Sequence, residues 1–151
     1  MPILAVNKKA NFDYELLEKY EAGLVLFGHE VKAVKSGQAS LRGSFISPRT
    51  INGKIELFLL GAQISPYKQA GPMPDYNQRR DRKLLLKRTE IGRLLGKKQE
   101  EGLTLVPLKI YTNHSFLKLE FAVARGKKKY DKRETIKKRD IEKRLRSLTK
   151  R

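Results

Sequence analysis

Glu21 and Glu30 are the first residues in this chain whose type and spacing could do chemistry. They flank an apolar stretch in a sequence that is poor in carboxylates. Two such carboxylates could hold a divalent metal and cut RNA. In a basic RNA binder, an isolated glutamate more often accepts hydrogen bonds from base amino groups, ribose hydroxyls or a neighbouring arginine. The other reactive residue types favour that second reading. The two histidines, His29 and His114, stand about eighty residues apart, and there is no cysteine. Thiolate nucleophiles, disulfides and cysteine-ligated zinc are therefore excluded, and no metal-ligand spacing is present. The segment Gly92–Lys98, GRLLGKK, has one residue too few between its glycines for a phosphate loop. It also ends in Lys where Ser or Thr would hold magnesium. No catalytic residue, metal site or cofactor is expected.

The charge is more informative. The 151 residues carry 34 Lys+Arg against 16 Asp+Glu, a net charge of +18, which calls for a polyanionic partner. From Arg125 to the end there are 14 basic and 4 acidic residues, more than half of the net charge in under a fifth of the length. A second concentration, Arg79–Lys98, holds nine basic residues and two acidic ones. The N-terminus is too short in apolar residues for a secretory signal, and no apolar run approaches the ~20 residues of a membrane span. A cytoplasmic protein is expected, with no membrane partner.

The elements that must position these residues follow from periodicity. Phe12–Tyr20 reads as a helix capped by Asn11, and Leu24–Val34, rich in β-branched residues, as a strand bent at Gly28. Ser44–Ile51 and Ile55–Gln63 read as a hairpin closed by Asn52-Gly53. The prolines of Ser65–Asp75 mark a loop, and Pro74–Arg82 should be irregular and exposed. Thr89 can cap a helix that reaches about Glu101, with Gly102 beyond its end. Leu103–Tyr111 and Phe116–Ala124 are strands about a short connection. In the second of these, Leu117, Leu119, Phe121 and Val123 alternate with Lys118, Glu120 and Ala122. About six short antiparallel strands with two helices suggest a mainly β fold: a small, closed or partly closed barrel of the oligonucleotide-binding type, with flanking helices. A boundary near Gly126 divides a barrel, 1–125, from a basic C-terminal tail, 126–151.

The tail has few apolar side chains and should order only on a partner. It nevertheless encodes a helix. Asp131 with Glu134 forms a capping-box pattern, and Ile141, Leu145 and Leu148 share a stripe. Asp140–Arg144 and Glu142–Arg146 are spaced as i,i+4 ion pairs. A basic amphipathic helix of about 18 residues, ~27 Å long, results, and alone it should be marginal. Neutralising its Lys and Arg on a phosphate-lined surface would release counterions.

Several collinear stretches now align with one bacterial family. They are Asn7–Ala10 (NKKA), Tyr20–Gly23 (YEAG), Gly28–Lys32 (GHEVK), Ser36–Gly37, Arg82–Leu86 (RKLLL), Gly102–Lys109 (GLTLVPLK), Ala124–Lys128 (ARGKK) and Asp131–Glu134 (DKRE) with Ile136–Arg139 (IKKR). In these the chain resembles the SmpB family of tmRNA-binding proteins, also called SsrA-binding proteins. The resemblance implies an oligonucleotide-binding-type barrel that binds the tRNA-like domain of tmRNA. It implies delivery of that RNA to ribosomes stalled on messages without a stop codon, where the unfinished peptide is tagged for proteolysis. In this family the protein stands in for the missing anticodon arm at the small-subunit decoding centre, and its tail becomes helical in the empty mRNA channel.

Carried over residue by residue, Glu21, Leu85 and Lys118 match the family's RNA-contacting positions. The motifs around them add Glu30, Lys32, Arg82 and Lys83 to the expected RNA-binding set. Gly126, Tyr130, Asp131, Lys132 and Arg133 match the decoding-region segment; Lys127, Lys128, Lys137, Lys138 and Arg139 extend it into the mRNA channel. Leu85 can equally be read as core. Two positions depart from the family pattern: His29 stands where Trp is common, and Tyr130 where His is common. The expected partners are tmRNA, the ribosome and, through the tmRNA complex, elongation factor Tu, with the protein a monomer. Two other readings stay open, a structural ribosomal protein and a metal-dependent nuclease using Glu21 or Glu30.

Overall fold

The computed structural model describes residues 2–99, 103–127 and 136–145. Nine strands and four α-helices are assigned among them. The strands are β1 (Ile3–Val6), β2 (Tyr14–Leu24), β3 (Ala39–Ser40), β4 (Phe45–Ile51), β5 (Lys54–Leu60), β6 (Gln63–Ile64), β7 (Arg82–Leu85), β8 (Leu103–Asn113) and β9 (Phe116–Gly126). The helices are α1 (Ala10–Asp13), α2 (Gly28–Lys35), α3 (Arg88–Lys98) and α4 (136–145). Seven strands form one antiparallel sheet in the order β1-β8-β9-β2-β7-β5-β4, and β3 pairs with β6. Bulges fall between Ile3 and Ala5, Leu16 and Glu18, and Pro107 and Lys109. Each adds local twist and bends its strand, and the sheet curls until β4 lies alongside β8. The result is a partly closed barrel. Leu57, Leu84, Leu94, Leu105, Ile110, Leu119 and Phe121 are fully buried within it.

Both hairpins read from the sequence are present. Asn52 (φ 50°) and Gly53 (φ 76°) turn β4 into β5 as the Asn-Gly pair predicts. His114 (φ 49°) and Ser115 (φ 71°) make the equivalent turn between β8 and β9 without a glycine. Ser115→Gly should therefore raise stability by about 0.5–1 kcal/mol, read as a higher Tm; a lower Tm would mean the turn tolerates its Cβ without strain.

Residues 12–34 differ from the local pattern. The helix expected over Phe12–Tyr20 is confined to Ala10–Asp13, and Tyr14–Leu24 is a strand. Its Glu, Leu and Lys residues favour helix only weakly. Pairing with β9 from Tyr14↔Gly126 to Gly23↔Lys118 overrides that preference. Conversely, the strand expected over Leu24–Val34 contains α2. Glu30, Ala33 and Val34 are its buried residues, an i, i+3, i+4 set that only a helix brings to one face. The Glu30 carboxylate also accepts the Phe27 amide at the helix start, 2.9 Å away. Helix α3 begins at Arg88, one residue before Thr89, with Lys87 at its N-cap. Gly102, expected just beyond that helix, lies outside the described residues. Arg82–Leu85, to which the periodicity assigns no strand, is strand β7.

Candidate RNA-binding surface

Strand pairing places two rows of side chains on one outer face. In the first, Leu85 of β7 pairs with Gly23 of β2, Gly23 with Lys118 of β9, and Lys118 with Tyr111 of β8. In the second, Glu21 of β2 pairs with Glu120 of β9, and Glu120 with Lys109 of β8. Adjacent strands are ~4.8 Å apart, so Glu21, Leu85 and Lys118 share a patch narrower than two nucleotides. Gly23 matters at its centre: a Cβ there would stand 3.2 Å from the Leu85 Cβ and displace that side chain. Leu85 is 54% exposed, so it belongs to the surface and not to the core.

Leu26, Val31, Leu85, Phe116 and Lys118 line an open hollow of about 240 Å³ beside this row. Apolar walls with one ammonium suit an unstacked base and its phosphate. Glu21 adds an acceptor for base or ribose donors. Lys83 alternates with the inward Arg82 and Leu84, so it points to the same outer side as Leu85; its ammonium is 3.9 Å from Glu56. Lys32 is exposed on α2, 5.9 Å above the Tyr67 ring.

Glu30 and Arg82 are corrections to the expected RNA-binding set. Both are fully buried and cannot touch RNA. Arg82 donates to the Glu30 carboxylate through Nε at 3.0 Å and Nη2 at 2.5 Å, and to the Ala62 and Gln78 carbonyls at 2.7 and 3.0 Å. Arg80 makes a second ion pair with Glu30, and the Tyr76 hydroxyl donates to it at 2.9 Å. Burial pushes the Glu30 carboxyl up, but Arg80, the Phe27 amide, Arg82 and Tyr76 together outweigh it and hold it at about 2. Tyr76 is pushed up to about 12 by burial and by the Glu30 charge. The Arg80 guanidinium lies 4.0 Å from the Phe27 ring, and His29 meets Tyr76 edge-on at 4.7 Å. His29 thus fills an aromatic position. The cluster ties α2, a wall of the hollow, to β7, the strand that carries Leu85.

These positions also remove the basis for a nuclease built on Glu21 and Glu30, since one lies on the outer face and the other is buried between two arginines. Among the described residues no group of three His, Cys, Asp or Glu side chains could hold a metal. No described helix is long and apolar enough to cross a membrane.

The sequence reading missed Tyr111 and Phe116 in this patch. Phe116 is 71% exposed; its place two residues before Lys118 in a period-2 strand was the available signal. Tyr111 donates to Glu21 through its hydroxyl, a contact between residues 90 apart that no local pattern encodes.

At the other end of β9, the Lys127 amide donates to the Asp13 carbonyl at 2.9 Å and its ammonium to the Asn11 carbonyl at 2.6 Å. Gly126, the last residue of β9, is exposed. Lys137, Lys138 and Arg139 are exposed on α4, whereas Lys128, Tyr130, Asp131, Lys132 and Arg133 lie outside the described residues.

Comparison with known proteins gives the family and the fold. Residues 4–151 match the sequence profile of the SmpB protein family. The SsrA-binding protein of Thermosipho melanesiensis is 50% identical over 151 residues, covering 99% of each chain. That of Carboxydothermus hydrogenoformans is 51% identical over 149 residues, covering 96% of this chain and 97% of its own. A solved structure described as "tmRNA-SmpB: a journey to the center of the bacterial ribosome" superposes with a TM-score of 0.67 at 44% identity, over 90% of this chain and 95% of that one. The chain belongs to the SmpB family, the SsrA-binding proteins.

Proposed function

We propose that this protein is a non-enzymatic RNA-binding adaptor of trans-translation. The barrel binds the tRNA-like domain of tmRNA, and the complex is delivered with elongation factor Tu to cytoplasmic ribosomes stalled on messages without a stop codon. The tail beyond Gly126 enters the decoding centre and the empty mRNA channel, with Lys127, Lys137, Lys138 and Arg139 meeting ribosomal phosphate. It acts as a monomer and needs no metal or cofactor. The observation that carries the reading is the placement of Glu21, Leu85 and Lys118 on one face of a +18 chain whose relatives are SsrA-binding proteins. Phosphate contacts supply affinity there, while the apolar hollow and the acceptor supply selectivity.

A competition titration tests it. Labelled tRNA-like domain of tmRNA is displaced by elongator tRNA or by a generic hairpin at physiological salt. A preference of about tenfold or more, ~1.4 kcal/mol, is expected over both; equal competition would leave a sticky basic barrel and refute the adaptor reading. Lys118→Ala should weaken binding by about 1 kcal/mol and lower the salt slope by about one unit. An unchanged slope would place Lys118 away from phosphate.

A further inference from the structure

Tyr111 sits on the outer side of β8 yet is only 6% exposed. Its register partner is Lys118, and that of Glu21 is Glu120, both on β9. The phenol therefore passes over β9 between these two side chains to reach β2, a span of ~10 Å between strand axes. The Lys109 ammonium is 5.7 Å from its ring. The hydroxyl donates to Glu21 Oε2, and the other carboxylate oxygen has no described partner. Directly opposite stands a like charge, Glu120, which is itself held by Lys109 at 3.3 Å and by Lys19 at 3.8 Å. Repulsion between facing carboxylates would turn an untethered Glu21 out into solvent. Burial and the Glu21 charge raise the Tyr111 hydroxyl pKa, so the phenol keeps its proton and donates at neutral pH.

We infer that Tyr111 is a positioning residue for RNA recognition, fixing the Glu21 carboxylate so that its second oxygen faces a donor on the RNA. The inference rests on the reading that Glu21 touches RNA. A fixed acceptor avoids the entropy cost of ordering a long side chain on binding, so the hydroxyl acts on affinity without touching the ligand.

A double-mutant cycle on the full-length protein tests this, with labelled tRNA-like domain of tmRNA as the probe. Tyr111→Phe keeps the ring and its packing, and should weaken binding about five- to tenfold with the salt slope unchanged, because no phosphate contact is lost. Glu21→Gln should weaken binding at least as much. The double variant should bind no worse than Glu21→Gln alone. Losses that multiply in the double variant would mean Tyr111 acts elsewhere, and would overturn the inference. A silent Tyr111→Phe beside a weakened Glu21→Gln would overturn positioning alone. Wild-type affinity for Glu21→Gln would overturn the RNA-contact reading of Glu21, and positioning with it.

Discussion

Glu30→Ala is expected to lower stability by about 3–5 kcal/mol, because it leaves the buried Arg82 and the half-buried Arg80 without their counter-charge. For a chain of this size that is a fall in Tm of roughly 10–15 °C. Part of the cost is also the unmet Phe27 amide, whereas the Tyr76 hydroxyl still has the Ile64 carbonyl at 3.0 Å as an acceptor. The same residue gives the stability a pH signature. Its carboxyl is held at about 2 in the folded protein, below the ordinary 4.5. A depressed carboxyl stabilises the fold above its unfolded pKa and loses that contribution as pH falls through the folded value. The wild-type protein should therefore lose stability between about pH 4.5 and 2, and Glu30→Gln should show a flatter profile in that window. Denaturant titrations at several pH values would decide it; a loss under about 1 kcal/mol at neutral pH would show that water or side-chain movement satisfies the two arginines. Because the cluster holds α2 against β7, the surviving folded variant should also bind RNA less well, although Glu30 never meets it.

Removal of residues 128–151 should leave tmRNA binding within about threefold of wild type yet abolish tagging on stalled ribosomes, a fall of at least ~100-fold. The cut follows Lys127, whose two hydrogen bonds to Asp13 and Asn11 keep the end of β9 attached to α1. Glu21, Leu85 and Lys118 all lie in the retained part. Binding would be read by titration with the tRNA-like domain, and tagging by appearance of the tag on a non-stop reporter. Loss of RNA binding on truncation would make the tail, not the barrel face, the primary grip.

Much of the barrel was legible where local chemistry and tertiary pairing agree. Asn52-Gly53 and the alternation from Leu117 to Val123 each specify a hairpin strand without help from distant residues. Residues 12–34 were not legible, because β2 is stabilised by pairing with β9 and α2 by an ion pair whose other members are Arg80 and Arg82. The family resemblance brought out Glu21 and Leu85 in its motifs and Lys118 on the last strand, and the structure brings the three to one face. Within those same motifs, sequence type alone could not separate Lys83, which points outward, from Arg82, which points in. The alternation Arg82-in, Lys83-out, Leu84-in, Leu85-out was present in the sequence, but four residues are too few to fix a face until β5 and β2 are known to flank them.

The pairing of β1 with β8 and of β2 with β9 joins residues roughly a hundred positions apart. Such contacts close large loops before any pairing repays the entropy, and they place folding on the slow, millisecond-to-second side of single-domain behaviour. During synthesis β1 has no partner strand until β8 has left the ribosome, and β2, apart from Gly23 and Leu24 opposite β7, has none until β9 has followed. A nascent chain of this protein interrupted before residue 103 thus exposes unpaired edges on β1 and along most of β2 and would be a substrate for aggregation or proteolysis.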